Sequence, residues 1–314
     1  MSDPYLLAVS LLSTGPVSAP PPPIPQNPLE NLLTIFAAND VGLSEAAETE
    51  NIIPTVESLG PEFSEFSTLE SSFPTPASGS QLYQQRLAAL NRGTLYTRLN
   101  PNSFQSLWEK ASNRPTHQHW KQLLQKEAQA LAQGQGNNRL NVLVGDSLSL
   151  WFPSQLLPQG KFWLNQGISG ENSTQVLQRI QAFEETRPET IYVMVGINDL
   201  RQGASDETIL ANIRQIVQNL RKSHPEAEVI VQSILPTRLA SIPSDRIRRL
   251  NREIIFIAKH EGASYLNLHR LFVDADGLLR QELTTDGLHL NRKGYQVWQT
   301  GLKLAESWLA LSRD

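Results

Sequence analysis

A serine, an aspartate and a histidine in the second half of the chain are of the types that carry out nucleophilic catalysis. His289 follows Asp286 by three residues, a spacing that lets the carboxylate orient the imidazole ring and fix its tautomer. The second ring nitrogen would then accept a proton from a hydroxyl group, and Ser147 is the candidate donor. The alternative for the pair is a polar loop that caps the last helix through Asn291.

Ser147 stands in the segment Gly145–Leu148 (GDSL), directly after a short apolar run. A glycine permits a tight turn there, and the serine would lie at the start of a helix, where backbone N–H groups face it. Such a serine is either a nucleophile or a helix cap, because serine and aspartate are among the commonest capping residues. Considered alone, this segment favours the cap.

Two further loops combine glycine with hydrogen-bonding groups. Gly170 ends the segment Asn165–Gly170 (NQGISG), and Asn198 lies in Gly196–Asp199 (GIND). A glycine lets a main-chain N–H approach a ligand closely, and a carboxamide supplies a neutral donor, which are the parts that hold a developing oxyanion. Taken singly, each loop is more typical of an ordinary turn.

The elements that must position these residues alternate between strands and helices from residue 138 to residue 314. This alternation predicts an α/β domain with a parallel sheet, in which ligands bind beyond the carboxyl ends of the strands. Each candidate residue follows a predicted strand or precedes the final helix. The predicted strands are Leu140–Val144, Lys161–Leu164, Ile191–Val195, Val229–Val231 and Tyr265–Leu268.

Apolar residues between these strands recur with the helical period of 3.6. One predicted helix begins near Ser205, with acidic residues in its first turn and basic residues near its end, so that both ends match the helix dipole. The basic residues are Arg221, Lys222 and His224.

The four segments, in this order along the chain, resemble the sequence blocks of the SGNH hydrolases, also called GDSL-type esterases and lipases. Ser147 matches the first block of that family, Gly170 the second and Asn198 the third. Asp286 and His289 match the last block. The resemblance covers residues 138–314.

This resemblance implies a three-layer α/β/α sandwich with a five-stranded parallel sheet, a flavodoxin-like fold, and ester hydrolysis with no metal and no organic cofactor. Ser147 would attack the acyl carbon, His289 would act as base and then as acid, and Asp286 would orient His289. The oxyanion hole would consist of the backbone N–H groups of Ser147 and Gly170 and the side-chain amide of Asn198.

Two departures from the family pattern lie beside these blocks. Glu171 and Asn172 follow Gly170 where many relatives have Asp-Thr, and Leu290 follows His289 where proline is common. Neither departure replaces a catalytic group, so they bear on the substrate more than on the reaction class.

The N-terminal part of the chain has a different composition. Residues 1–85 contain no Lys or Arg and ten acidic residues, and they hold 12 of the 20 prolines. Such a composition buries too little surface to offset chain entropy. We therefore expect residues 1–77 to be a disordered acidic tail, either solvated or bound through Leu29–Phe36 to an unknown protein partner.

Residues 78–137 are expected to form a helical lead-in segment of two or three helices, interrupted at Pro101 and Pro115. His117 and His119 form an H-x-H pair in this segment. A metal site needs further ligands at suitable spacing, and none follows the pair. A solvated helix start is therefore the preferred interpretation.

Composition excludes several classes of protein and site. The chain has 314 residues and no cysteine, which excludes disulfides, thiolate metal sites and cysteine nucleophiles. No apolar run is long enough to span a membrane. The stretch Tyr5–Leu12 lacks the basic residues that begin a secretory signal, so we expect a cytoplasmic location, with secretion as the alternative.

One cluster of basic residues could suggest an anionic partner. It falls on a predicted helix with an apolar side, and no nucleic-acid motif accompanies it, so a solvated face is expected and no nucleic-acid partner. Its members are Arg246, Arg248, Arg249 and Arg252.

Three functions fit these observations. The first is a serine esterase of small or medium acyl esters, such as carbohydrate O-acetyl esters or lysophospholipids. The second is acyl transfer to an alcohol or sugar, and the third is a catalytically weak binding or adaptor module. Intact Ser147, Asp286 and His289 argue against the third. Trp151, Phe152 and Pro153 follow Ser147 closely and either line an acyl or glycosyl pocket or belong to the core. Aromatic residues at such positions more often belong to the core.

Overall fold

The computed structural model describes residues 74–311. The acidic tail predicted for residues 1–77 therefore lies outside the described residues except for its last four, and Tyr5–Leu12 and Leu29–Phe36 lie outside them as well. Between residues 74 and 311, no helix has both the length and the apolar character that crossing a membrane requires.

Five parallel strands form one sheet in the order β2-β1-β3-β4-β5, which confirms the predicted α/β fold. Connections leave β1 towards both sides of the sheet, and the reversal of strand order there opens a crevice at the carboxyl ends of the strands. The strands are β1 Leu140–Gly145, β2 Phe162–Gly167, β3 Thr190–Met194, β4 Glu228–Gln232 and β5 Ser264–Leu266.

Strand β2 continues to Gly167, whereas the sequence predicted its end at Leu164. The two polar residues that looked like loop are buried, and their side-chain nitrogens donate to carbonyl groups of the neighbouring helices. Asn165 donates through Nδ2 to the carbonyl of Ser149 at 2.7 Å, and Gln166 donates through Nε2 to the carbonyl of Leu124 at 3.1 Å. A buried carboxamide with partners is compatible with a central strand.

Ten α-helices and four short 3₁₀ helices connect and precede the strands in the described part of the chain. The 3₁₀ helices are Tyr96–Arg98, Ser154–Leu156, Ile180–Phe183 and Gln281–Leu283. The α-helices are α1 Gly79–Asn91, α2 Gln105–Trp108, α3 His117–Gly134, α4 Ser147–Leu150, α5 Ser173–Arg179, α6 Ile197–Arg201, α7 Asp206–Ser223, α8 Ser244–His260, α9 His269–Phe272 and α10 Arg292–Leu311.

Alternate residues of the buried strands face two helical layers, because successive strand side chains point to opposite sides of a sheet. Val142 and Val144 of β1 pack with apolar residues of α3, α5, α7 and α8. Leu143 packs on the other face in a cluster that includes Trp298 of α10. The sheet is therefore covered on both faces, as a parallel sheet with a continuous apolar core requires.

The lead-in helices α1 and α3 pack onto the α/β part. Leu124 of α3 shares an apolar cluster with Leu150 of α4. Arg86 of α1 is buried, and it donates to Glu127 Oε1 at 3.0 Å and to the carbonyl of Asn165 in β2 at 2.8 Å. Because a buried charge is tolerated only when it is paired and hydrogen-bonded, these contacts fix α1 and α3 against β2.

Helix α7 begins where the sequence predicts, after Ser205, whose hydroxyl accepts the N–H of Thr208 at 3.2 Å. The predicted role of His224 at the other end is wrong. His224 is buried and stacks on Phe183 with ring centroids 5.3 Å apart, and burial lowers its pKa to about 4. The ring is therefore neutral at pH 7 and adds no charge to the helix end.

Candidate active site

Ser147 is the first residue of α4, immediately beyond the end of β1. The preceding Asp146 caps this helix, because its Oδ1 accepts the N–H of Leu148 at 2.9 Å. The sequence allowed Ser147 to be either a nucleophile or a helix cap, and the structure assigns the cap to Asp146. Ser147 itself is half-buried, and its hydroxyl makes no hydrogen bond with any residue between 74 and 311.

Two glycines permit the close approach of elements around this turn. A Cβ atom on Gly167 would lie 2.8 Å from the Cα of Leu150 and 2.9 Å from the carbonyl oxygen of Asp146. A Cβ atom on Gly196, which has φ of +123°, would lie 2.6 Å from Cδ1 of Ile234. A side chain at position 167 would clash with backbone atoms, and the φ of Gly196 is one that L side chains rarely adopt, so both positions require glycine.

Asp286 and His289 form a hydrogen-bonded pair in the turn before α10. Oδ2 of Asp286 lies 2.7 Å from Nδ1 of His289, and Oδ1 accepts the backbone N–H groups of Leu288 at 3.0 Å and His289 at 2.7 Å. Burial alone would raise the pKa of Asp286, but the hydrogen bonds from His289 and Leu288 outweigh it and lower the pKa to about 2. An ionised carboxylate only accepts, so Nδ1 carries the proton and Nε2 keeps its lone pair.

The helix cap that the sequence offered as the alternative is also present, in Asn291 as predicted. Asn291 accepts the N–H of Gly294 through Oδ1 at 3.0 Å, and its Nδ2 donates to the carbonyl of Glu282 at 2.8 Å. Asn291 thus caps α10, which leaves Asp286 and His289 free to interact with each other.

His289 and Ser147 lie at the same edge of the sheet. The hydroxyl of Tyr295, in the second turn of α10, donates to the carbonyl of Leu148 in α4 at 3.1 Å. A protonated His289 ring would favour the ionised form of Asp146, the residue before Ser147. The ring and the Ser147 hydroxyl are not hydrogen-bonded to each other in the described chain; catalytic hydrogen bonds often tighten only when substrate is bound.

Three hydrogen-bond donors are available beside Ser147. Asn198 is buried in α6, and its Nδ2 donates to the carbonyl of Glu171 at 3.0 Å. An amide nitrogen has two hydrogens, so one remains for a ligand. Gly170 has φ of +83° and directly precedes Glu171, and its N–H pairs with no described residue. The N–H of Ser147 lies in the first turn of α4, where no intrahelical acceptor exists. These donors could stabilise an oxyanion.

Sequence reasoning missed the groups that lie beneath Gly170. Glu171, noted only as a departure from the family pattern, is buried and pairs with Arg179. His117 is the first residue of α3, as the sequence predicts, but the expectation of a purely solvated ring is wrong, because its Nε2 lies 2.7 Å from Oε1 of Glu171. A charged residue directly after Gly170 was the signal that could have revealed this pairing.

The two aromatic residues that follow Ser147 differ in their surroundings: one belongs to the core, and the other remains partly accessible. Phe152 is buried and meets Tyr295 and Trp298 edge to face, with ring centroids 5.4 and 5.1 Å apart, so it belongs to the core. Trp151 is half-buried and packs against two apolar clusters. Trp151 is therefore the aromatic side chain of this pair that retains an accessible surface near Ser147.

Asp146 is a buried carboxyl group whose Oδ2 has no hydrogen-bond partner among the described residues. Burial raises its pKa to about 7, although the hydrogen bond from the N–H of Leu148 acts in the opposite direction, as a protonated His289 ring would. The pKa of Asp146 is higher in the folded protein than the ordinary value of 3.8, so the fold favours the neutral carboxyl group. The contribution of this neutral group to the free energy of unfolding is therefore complete below pH 3.8. It is lost as the pH rises through 7.

We therefore expect Asp146→Asn to raise the melting temperature relative to the wild type above pH 7 and to leave it nearly unchanged near pH 4. The amide keeps the acceptor for Leu148 and stays uncharged at every pH. Thermal unfolding between pH 4 and pH 9 measures the difference, with the exposed Asp276→Asn as the control. A constant difference across that range would contradict the expectation.

Comparison with known proteins gives consistent matches. Residues 130–297 match the model of the GDSL-like Lipase/Acylhydrolase family. The alpha1 subunit of platelet-activating factor acetylhydrolase IB from Bos taurus is 33% identical over 167 residues, which is 49% of this chain and 69% of the relative. The alpha2 subunit from Bos taurus is 30% identical over 170 residues, covering 49% of this chain and 70% of the relative.

Solved structures show the same likeness. A Streptococcus pneumonia structure, described as a candidate platelet activating factor, has a TM-score of 0.54 and 25% identity, covering 58% of this chain and 91% of that one. A GDSL-like lipase from Bacteroides thetaiotaomicron has a TM-score of 0.53 and 22% identity, covering 59% of this chain and 96% of that one. The second structure shares the fold of this chain.

Proposed function

This chain belongs to the GDSL-like lipase/acylhydrolase family of ester-bond hydrolases, and we propose that it cleaves small or medium acyl esters with Ser147 as the nucleophile. The observation that carries the proposal is the Asp286–His289 pair. Its 2.7 Å hydrogen bond fixes the proton on Nδ1 and leaves Nε2 as a base at the sheet edge where Ser147 begins α4.

The reaction has two halves. The Ser147 hydroxyl oxygen attacks the acyl carbon while Nε2 of His289 takes the hydroxyl proton, and the carbonyl oxygen becomes an oxyanion. The N–H groups of Ser147 and Gly170 and the amide of Asn198 stabilise this oxyanion. The imidazolium then donates its proton to the departing alcohol, and the acyl-enzyme remains. Water, deprotonated by His289, attacks the acyl-enzyme, and the carboxylic acid product leaves as Ser147 regains its proton.

Asp286 supports both halves electrostatically. Its pKa of about 2 keeps the carboxylate ionised throughout the range in which the enzyme would work. The negative charge beside Nδ1 favours the imidazolium that forms when Ser147 loses its proton. The side chain is half exposed, so solvent weakens this support compared with a buried triad.

Two observations support an ester with a short acyl group as the substrate. The relatives at 30–33% identity are named as acetylhydrolases. Beside Ser147, the core residues Phe152 and Tyr295 are packed against each other, and the half-buried Trp151 is the aromatic group that remains accessible. We propose acetyl esters as the first substrates to test.

The test is hydrolysis of p-nitrophenyl acetate, butyrate and octanoate, together with fluorophosphonate labelling located by peptide mass spectrometry. We expect turnover that is fastest for the acetate or butyrate and a label on Ser147. Ser149→Ala is the matched control, because Ser149 is two residues away and buried, and it should be labelled and turn over like the wild type. A folded protein with no label on Ser147 would contradict the proposal.

Asn198→Ala is expected to lower kcat by about 100 to 1000-fold, the usual effect of removing one oxyanion donor. KM should change little, because the amide contacts the oxyanion more strongly than the substrate carbonyl. The matched control is Asn212→Ala, whose amide donates to Ser173 Oγ at 2.9 Å and to Thr174 Oγ1 at 2.8 Å. Steady-state kinetics on p-nitrophenyl acetate measures kcat and KM of both variants. An equal loss of kcat in the two variants would argue against a role of Asn198 in the oxyanion hole.

A further inference from the structure

A buried ion pair lies directly beneath the proposed oxyanion hole. The carboxylate of Glu171 is 1% exposed and the guanidinium side chain of Arg179 is 6% exposed. Nε of Arg179 donates to both carboxylate oxygens, at 2.9 and 2.7 Å. A buried pair of this kind holds its members in one geometry, because moving either partner leaves an uncompensated charge.

Arg179 is itself fixed to the ends of two strands. Its Nη2 donates to the carbonyl of Gln166 in β2 at 2.8 Å and to the carbonyl of Gly145 in β1 at 3.3 Å. These strands lead into the segments that carry Gly170 and Ser147. The guanidinium therefore anchors Glu171 to the rigid edge of the sheet.

The backbone of Glu171 joins two of the oxyanion donors. Its amide nitrogen belongs to the peptide that follows Gly170, and its carbonyl accepts Nδ2 of Asn198 at 3.0 Å. A shift of Glu171 would displace the Gly170 N–H and reorient the Asn198 amide together. The position of the Glu171 carboxylate thus determines the geometry of both donors.

The third group on this carboxylate comes from outside the α/β part. His117, the first residue of α3, places Nε2 at 2.7 Å from Oε1 of Glu171, and its ring is 41% exposed. The Thr116 hydroxyl, which accepts the N–H of His119 at 3.1 Å, caps the helix. Helix α3 is held in the core by Leu123 and Leu124. Loss of the His117 ring would therefore leave the helix in place.

We propose that His117 is a positioning residue for the oxyanion hole and that the lead-in helix α3 thereby acts on turnover. The inference rests on the proposed esterase function. His117 adds a restraint on Oε1 of Glu171, the oxygen that Nε of Arg179 also contacts. Together the two groups hold the Gly170 N–H and the Asn198 amide where the oxyanion forms. A restraint of this kind acts on the transition state and leaves substrate binding largely unchanged.

His117→Ala tests the inference. We expect kcat for p-nitrophenyl acetate to fall by about 10 to 100-fold, because small displacements of catalytic geometry have effects of that size, while KM stays near the wild-type value. His119→Ala is the matched control: His119 lies in the same turn and accepts the N–H of Thr116 at 3.3 Å, but it does not contact Glu171. That variant should keep wild-type kcat. His117→Gln, which retains a hydrogen-bond donor, should recover most of the loss.

A double-mutant cycle separates positioning from a general loss of structure. If His117 acts through Asn198, then His117→Ala in the Asn198→Ala background should cost clearly less than in the wild type, because the group it positions is gone. Full additivity, or wild-type kcat in His117→Ala, would overturn this inference alone. Absence of both turnover and Ser147 labelling in the wild type would overturn the proposed function and this inference with it.

Discussion

Replacing Ser147 with alanine is expected to lower kcat/KM for p-nitrophenyl acetate by about 10⁶-fold, the size of the loss when the serine nucleophile of a protease triad is removed. Ser147 begins a helix that Asp146 caps, so the hydroxyl has no hydrogen bond to lose with any residue between 74 and 311. The variant should therefore unfold at the wild-type temperature while the fluorophosphonate label disappears.

The size of the residual rate is informative. The proposed oxyanion donors, which are the backbone N–H groups at positions 147 and 170 and the Asn198 amide, remain in Ser147→Ala. A residual rate above that of uncatalysed hydrolysis is therefore expected from these groups alone. A further Asn198→Ala change should then lower this residual rate. A Ser147→Ala protein that retains more than a few percent of wild-type turnover in a contamination-free preparation would refute the assignment of the nucleophile.

Asp286→Asn is expected to lower kcat by about 10³ to 10⁴-fold, a loss comparable to that of the analogous change in a serine-protease triad. The new carboxamide could still accept the N–H groups of Leu288 and His289 through its oxygen. Its nitrogen would replace the carboxylate oxygen that lies 2.7 Å from Nδ1. Since an amide N–H donates, Nδ1 must then accept, and the proton moves to Nε2, where the base is needed.

A second aspartate offers a close control for this change. Asp274 also forms a turn, accepting the N–H groups of Asp276 at 3.0 Å and Leu278 at 2.9 Å, and its other oxygen pairs with Arg238 at 2.9 Å. Asp274→Asn should keep kcat near the wild-type value because no imidazole depends on it. If both variants lost activity equally, the effect would come from the loops and not from the tautomer of His289.

The catalytic candidates could be predicted from the sequence because of a simple property of parallel sheets. Ser147 and Asn198 follow β1 and β3, and the carboxyl ends of neighbouring parallel strands meet at one edge. Local spacing was sufficient for Asp286 and His289, whose contact lies within one turn. The strands were recognisable since short apolar runs such as Leu140–Val144 are typical of a sheet covered on both faces.

The supporting groups could not be predicted in the same way. His117 and Glu171 are 54 residues apart, and nothing in either local pattern fixes the angle at which α3 packs on the sheet. The buried pairing of Gln166 with Leu124 likewise depends on that angle, and so the sequence placed the end of β2 too early. Burial of His224 against Phe183 is a third case in which packing overrides a local pattern.

The buried contact of Arg86 with β2 has a consequence for the order of events during synthesis. The guanidinium and the carbonyl of Asn165 are separated by 79 residues, which a ribosome adds in roughly 4 to 16 s at typical elongation rates. Until Asn165 has emerged, Arg86 lacks this carbonyl partner, and Leu124 lacks Ile168, a member of its apolar cluster. Helices α1 and α3 thus leave the ribosome well before the strand against which they dock, so their final docking waits for the synthesis of β2.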